Sequence, residues 1–239
     1  MSEAQKPLEQ SDKNPENIDE STGLLTKEAW KSYLAEQIKN NREDFGVIFI
    51  DLGNFKAVND RYGHEYGDEV LQNTADILAE TVRQTNQSRT TDYLAHERYI
   101  NNETMSASRY GGDEFAVYCD LHPRDEDQEP LTNQQRISKV QARLRAAFDA
   151  MITNHGKKLH DAQFSVSIGS AVYEPGMNSS DLLSQADKAM MLDKQEKQKE
   201  RWESLSTEEK AALINPAVKA GLQKLGIRPP EIPDHEFEL

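Results

Sequence analysis

The segment Arg109-Tyr110-Gly111-Gly112-Asp113-Glu114-Phe115 constrains this chain most, because it sets two glycines and two adjacent carboxylates between stretches that suit β-strands. The flanks are Ser106-Ala107-Ser108-Arg109-Tyr110 and Phe115-Ala116-Val117-Tyr118-Cys119. Gly-Gly is a strong two-residue hairpin signal, since glycine reaches positive φ without steric cost. The pattern predicts an antiparallel hairpin with Asp113 and Glu114 at its turn. Taken alone, it describes a solvated acidic turn as well as it describes a site; the rest of the chain decides between them.

A length of 239 residues suits one well-packed domain with appendages, because single cores stop growing at roughly 250–300 residues. A formal charge of −14 and a pI near 4.9 argue against a nucleic-acid or anionic-membrane partner, for which a basic surface is the expected footprint. A polyanionic nucleotide would need a metal or local lysines. No apolar run approaches the roughly 20 residues of a membrane span. The N-terminus is polar and acidic rather than basic-then-apolar, so the chain is expected to be cytoplasmic. The single cysteine, Cys119, lies in an apolar strand and is expected to be a small buried side chain rather than a ligand or nucleophile.

Residues 1–18 are rich in Glu, Gln, Ser, Asn and Pro without periodicity, which predicts a disordered lead-in. Ala29, Trp30, Tyr33, Leu34 and Ile38 recur at helical spacing, with Thr26 as a plausible N-cap. Phe45-Gly46-Val47-Ile48-Phe49-Ile50-Asp51 reads as a strand buried on both faces and ending in an acid. A short helix through Phe55 to Arg61 follows, then a second helix with Val70, Leu71, Thr74, Ile77, Leu78 and Val82 on one face. Residues 84–105 are polar and read as an insertion loop. Ile137, Val140, Leu144, Ala147, Phe148 and Met151 mark another amphipathic helix, and residues 164–173 alternate as a strand. A last core helix starts near Ser179 or Ser180 and runs on into a Lys/Gln/Glu-rich stretch. Ser206-Thr207-Glu208-Glu209 has capping-box spacing and opens a small helix, and the Pro-containing end reads as irregular. This alternation around a hairpin predicts an α+β fold, with helices packed on one side of a mixed antiparallel sheet.

Beyond Asp51 the chain runs Leu52-Gly53-Asn54-Phe55-Lys56-Ala57-Val58-Asn59-Asp60-Arg61-Tyr62-Gly63-His64-Glu65-Tyr66-Gly67-Asp68. Together with the hairpin, this resembles the GGDEF domain of diguanylate cyclases, whose pattern is Asp-x-Asp-x-Phe-Lys-x-x-Asn-Asp-x-x-Gly-His-x-x-Gly-Asp. All but one fixed position match. Asp19-Glu20-Ser21-Thr22-Gly23-Leu24 is similar to the family's Asp-x-Leu-Thr-Gly-Leu opening. Val166-Ser167-Ile168-Gly169 and Ala186-Asp187-Lys188-Ala189-Met190 resemble its closing blocks. The resemblance implies a nucleotidyl cyclase palm-like fold with a βαββαβ core. It divides the chain into a lead-in at 1–18, a GGDEF domain at 19–197 carrying the 84–105 insertion, and a helical tail at 198–239.

The family condenses two GTP into cyclic di-GMP and two pyrophosphates across a homodimer, each subunit presenting one GTP to the other. A 3′-hydroxyl of one GTP attacks the α-phosphate of the other while negative charge builds on phosphate and pyrophosphate, and divalent metal answers that charge. The resemblance implies Mg²⁺ or Mn²⁺ on Asp51, Asp113 and Glu114, with a backbone carbonyl near Leu52. It gives Asn59 and Asp68 to the guanine edge, although an Asx-turn and an N-cap would explain the same residues. Leu71 would pack near the base or in the helix core. Backbone amides around Asn54 and Phe55, with Lys56, would cradle phosphates where strand turns into helix. Gly111 and Gly112 would let the substrate approach the hairpin. Lys194 matches a lysine that reaches the triphosphate; alternatively it is one solvated charge in a Lys-rich helix.

Three departures stand out. Gly53 occupies the place of the family's second aspartate, and Lys197-Gln198-Lys199 replaces the Gly-Arg-Asn that follows the last helix. The product-binding Arg-x-x-Asp motif would fall on Asn102-Glu103-Thr104-Met105 and is missing, so feedback inhibition there is not expected. In degenerate family members that act as cyclic di-GMP receptors, the hairpin motif decays while Arg-x-x-Asp survives; this chain shows the reverse. That contrast favours a homodimeric diguanylate cyclase over a GTP-binding scaffold that has lost turnover. The C-terminal helices are a possible docking element for a protein partner.

Overall fold

A computed structural model describes residues 15–40, 42–86, 105–123, 130–206 and Lys210. The lead-in before Pro15, the Arg-x-x-Asp position and most of the C-terminal tail lie outside the described residues. The central strand is β2 (Phe45–Gly53), hydrogen-bonded antiparallel to β4 (Glu114–Asp120) on one side and to β5 (Ser165–Val172) on the other. β3 (Met105–Arg109) pairs antiparallel with β4, and the two-residue β1 (Leu25–Thr26) pairs parallel with β3. The sheet order is therefore β1-β3-β4-β2-β5, and the short β1, invisible to periodicity, makes it mixed.

Helices cover both faces of this sheet, not the single side expected from sequence. The cause lies in β2, whose alternate side chains are all apolar up to Asp51. Phe45, Val47 and Phe49 pack with Trp30 and Leu34 of α1 (Lys27–Lys39) and with Leu182, Ala186 and Met190 of α6 (Ser179–Ser204). Ile48, Ile50 and Leu52 join a second cluster with α2 (Phe55–Tyr62), α3 (His64–Asn86) and α4 (Asn133–His155). A strand buried on both faces needs a layer on each. Truncating one of its fully buried isoleucines to alanine costs about 2–5 kcal/mol.

Local signals place the helix ends. Thr26 caps α1 by accepting from the Ala29 amide. Asn178 caps α6 by accepting from the Asp181 amide at 2.9 Å, at the expected start. Thr132 and Gln135 form a full capping box for α4. α3 reaches Asn86 and so takes up the first residues assigned to the insertion loop; residues 87–104 lie outside the described set. A short helix α5 (Lys157–Asp161), not foreseen, turns α4 back toward β5.

Gly169 permits a contact that a side chain would block. A Cβ at Gly169 would lie 1.9 Å from the Met190 amide nitrogen, so α6 rests with its backbone directly on β5. That contact fixes the height of α6 above the sheet. α6 continues past position 197 without a break to Ser204. Beyond it, the Lys210 amide donates to the Ser206 carbonyl at 2.9 Å; residues 207–209, and with them the capping box expected at 206–209, lie outside the described residues.

Candidate active site

Asp51 and Glu114 are directly opposed in the β2–β4 register, so two carboxylates share one face of the sheet where these interior strands end and begin. Like charges opposed in this way repel. Burial first, and then the carboxylates of Asp51 and Asp113, raise the Glu114 pKa above its ordinary value, with Lys27 pulling partly the other way. Asp51 is almost fully buried, at 7% exposure.

The hairpin itself differs from the tight two-residue turn expected. β3 ends at Arg109 and β4 begins at Glu114, leaving a wider loop over Tyr110–Asp113. Neither Gly111 nor Gly112 adopts a positive φ. Their value is space: a Cβ on Gly111 would lie 2.7 Å from Glu114 Oε2, and Gly112 faces open space. The loop closes through amides of Tyr110 and Gly111 that both donate to the Glu114 carbonyl, at 2.7 and 3.0 Å. Arg109 holds its far side, donating to the Gly112 carbonyl at 2.8 and 3.2 Å and to Ser21 Oγ. Asp19 lies 3.5 Å from the same guanidinium. Burial would raise the Asp19 pKa, but hydroxyls of Ser21 and Thr22 and the Arg109 charge outweigh it and hold it low. The opening block is thus a brace for the Tyr110–Asp113 loop, a role the sequence pattern alone does not disclose.

Lys194, on α6, places its ammonium 3.0 Å from Asp51 Oδ2. Among the described residues, Lys194 is the partner of this buried oxygen, and no hydrogen bond of good geometry reaches it. One residue earlier, Asp193 pins the helix to the sheet. It accepts from the Ile168 amide at 2.8 Å and from Arg145 at 2.7 Å, with Lys197 at 3.1 Å. Burial pushes the Asp193 carboxyl up, but Arg145, the Ile168 amide and Lys197 prevail and hold it below the usual carboxylate range. Asp193 was not singled out from sequence; its signal is an acid at helical spacing from Lys197, which many exposed pairs share.

On the opposite side of the loop, Gly67 lets α3 close onto Asn59: a Cβ there would lie 1.8 Å from Asn59 Oδ1. Asp68 follows directly and is exposed. Since α3 begins at His64, Asp68 lies within the helix, and its alternative as an N-cap falls away. Leu71 is buried in the core cluster at 3% exposure, as is Phe55 at 8%. Lys56 is exposed, and Asn54, the N-cap of α2, makes no side-chain cap bond to its first turn. Asn54, at φ 60, turns the chain from β2 into α2 and donates from its side chain to the Gln163 carbonyl at 2.8 Å. A Cβ on Gly53 would meet Ser165 Oγ at 2.4 Å, so a serine hydroxyl occupies the space an aspartate would need.

Among the described residues, no three His, Cys, Asp or Glu side chains converge into a ready-made metal cluster. The donor set nevertheless suits Mg²⁺, which takes one or two carboxylates and completes its shell with water and substrate phosphate. Asp51 and Glu114, opposed across β2 and β4 with Lys194 on Asp51 alone, leave net negative charge that a divalent cation would offset. The Leu52 amide donates to the Asp113 carbonyl at 3.0 Å, which ties the loop to the end of β2.

The family model for "Diguanylate cyclase, GGDEF domain" matches residues 16–92 and 97–200. The chain belongs to the GGDEF family. This GGDEF domain is 28% identical over 176 residues to diguanylate cyclase DgcS of Shewanella oneidensis, covering 72% of this chain and 48% of that protein. It is 29% identical to cyclic di-GMP phosphodiesterase PdeR of Escherichia coli, covering 73% of this chain but 22% of that protein. The chain therefore spans less than half the length of these relatives. The isolated GGDEF domain of TpbB (YfiN) from Pseudomonas aeruginosa superposes with a TM-score of 0.52 at 26% identity, covering 75% of this chain and 89% of that one. The fold also matches the GGDEF domain of DgcB from Caulobacter crescentus, at TM-score 0.53 and 21% identity over 76% of this chain and 91% of that one. The expected α+β GGDEF fold is thus present. Among the described residues, no helix is long and apolar enough to cross a membrane.

Proposed function

We propose that this protein is a diguanylate cyclase that condenses two GTP into cyclic di-GMP, releasing two pyrophosphates, at the interface of a homodimer. The observation that carries the reading is the opposition of Asp51 and Glu114 at the mouth of the Gly111-Gly112 loop, with Lys194 on the same carboxylate. Divalent metal held by Asp51 and Glu114, with Asp113 and the Leu52 carbonyl at hand, would polarise the α-phosphate and offset charge on the leaving pyrophosphate.

The chain's own residues do the rest. Asn59, set against Gly67, and the exposed Asp68 offer an acceptor and donor pair to the guanine edge. The uncapped first turn of α2 presents backbone amides to phosphate, with Lys56 alongside. The open space over Gly112 admits the second nucleotide, carried by the other subunit. Glu114, opposite Asp51 in the β2–β4 register, would receive the 3′-hydroxyl proton as the oxygen attacks.

A second reading has its own support. Gly53 with Ser165 in place of an acid, and Gln198 in place of an arginine, favour a GTP-binding signalling scaffold with impaired turnover. Purified protein incubated with GTP and Mg²⁺ separates the two by chromatography: cyclic di-GMP is expected from the wild type and none from Glu114→Gln. A dimer that binds GTP yet forms no product would decide for the scaffold.

A further inference from the structure

A cleft of about 1010 Å³ opens beside the acidic pair, between the start of α2, the α5–β5 turn and the C-terminal half of α6. In a chain of net charge −14 its walls are basic, carrying Arg61, Lys157, Lys194, Lys197 and Arg201 against only Asp161 and Glu200. It is continuous with the site already described, because Lys194 lines the cleft and also touches Asp51.

Most of these cations are already engaged. Lys194 pairs with Asp51, and Lys197 pairs with Asp193 and donates to the Val166 carbonyl. Arg61 donates to the Asp161 carbonyl. Arg201 differs: its Nη2 is buried and has no hydrogen-bond partner among the described residues. A buried guanidinium nitrogen without an acceptor is costly, and burial holds this arginine below its ordinary pKa. An anion in the cleft would satisfy it, and the fork of an arginine suits phosphate oxygens. Because α6 stays helical to Ser204, positions 194, 197 and 201 recur at three- and four-residue steps and share a face. Gln198, which stands where the family carries its arginine, lines the same cleft but brings no charge.

We propose that Arg201 binds the terminal phosphates of the nucleotide in this cleft, so that the cationic grip lies one helical turn further along α6 than position 198. This rests on the guanine-nucleotide reading above. It makes the unbroken α6 part of the substrate site rather than a tail.

Equilibrium titrations with 3′-deoxy-GTP, GMP and inorganic pyrophosphate, each with Mg²⁺, test it without turnover, since the first lacks the attacking hydroxyl. Arg201→Gln is expected to weaken 3′-deoxy-GTP and pyrophosphate by about ten- to a hundredfold, the value of a charge-assisted hydrogen bond. GMP binding should be unchanged, which also reports an intact fold. Arg201→Lys should retain part of the affinity, and Gln198→Arg should restore it in the Arg201→Gln background. Wild-type affinity for 3′-deoxy-GTP in Arg201→Gln, or an equal loss for all three ligands, would overturn the proposal. If the wild type bound pyrophosphate through Arg201 but no guanine nucleotide, the cleft would stand and the cyclase reading would fall.

Discussion

The Lys194 ammonium lies 3.0 Å from Asp51 Oδ2, a buried oxygen with no hydrogen-bond partner among the described residues. Without metal, this lysine carries the compensation for the Asp51 charge. Lys194→Met should therefore destabilise the nucleotide-free protein by about 1–3 kcal/mol. Thermal melting with and without Mg²⁺ checks it: the metal should raise the melting temperature of the variant more than that of the wild type, because it replaces the missing cation.

Glu114→Gln removes one of two carboxylates opposed across β2 and β4. The variant should lose cyclic di-GMP formation while the metal-free fold gains about 0.2–1 kcal/mol from relieved repulsion. A parallel assay of product and of urea midpoint reads both effects; a variant that lost activity and also stability would point to structural damage instead.

Gly53→Asp tests the missing acid. Its Cβ would meet the Ser165 hydroxyl at 2.4 Å, but that hydroxyl can rotate. The single variant should lose about 1 kcal/mol, near the lower end of overpacking costs. The double variant with Ser165→Ala should recover the loss, as denaturant midpoints of both would show.

Gly67→Ala would drive a methyl group to 1.8 Å from Asn59 Oδ1. Asn59 must swing away, so affinity for GTP should fall at least about tenfold, the scale of one lost hydrogen bond to a nucleobase edge. Titration with guanosine nucleotides measures it, and an unaffected affinity would remove Asn59 from the guanine site.

Asp193 couples stability to pH. Its pKa is depressed in the folded state by Arg145, the Ile168 amide and Lys197 acting against burial. The carboxylate therefore stabilises the fold above its unfolded pKa of about 3.9. That contribution disappears as pH falls from near 4 through the lower folded value. Asp193→Asn should cost stability at pH 7, and the difference from wild type should shrink as the pH is lowered below about 4.

The chain's periodicities and motifs were enough to determine the longer elements and their sequence, the cap at Thr26, the start of α6 near Ser179, the buried Cys119 and the family, while β1 and α5 escaped them. Those features are local, and each is written in a few consecutive residues: an apolar alternation, a capping side chain, a Gly-Gly-Asp-Glu run. Leu71 shows the limit of such reading, since a leucine at helical spacing suits the core and a ligand wall alike, and only packing assigned it to the core cluster. The same holds for the hairpin, whose glycines provide space for Glu114 instead of a positive φ.

What only the tertiary structure decided are relations between residues distant in the chain. Asp51 opposes Glu114 because β2 and β4 pair in one register, and Lys194 reaches Asp51 because Gly169 lets α6 lie on β5. Arg109 braces the loop against Asp19 and Ser21 across a parallel pairing two residues long. Arg201 faces a cleft because nothing stops α6 before Ser204. The Gly-Gly-Asp-Glu motif names its own chemistry, but charge acts through space. The distances that make it a site are set by strand register and by the height of one helix above the sheet.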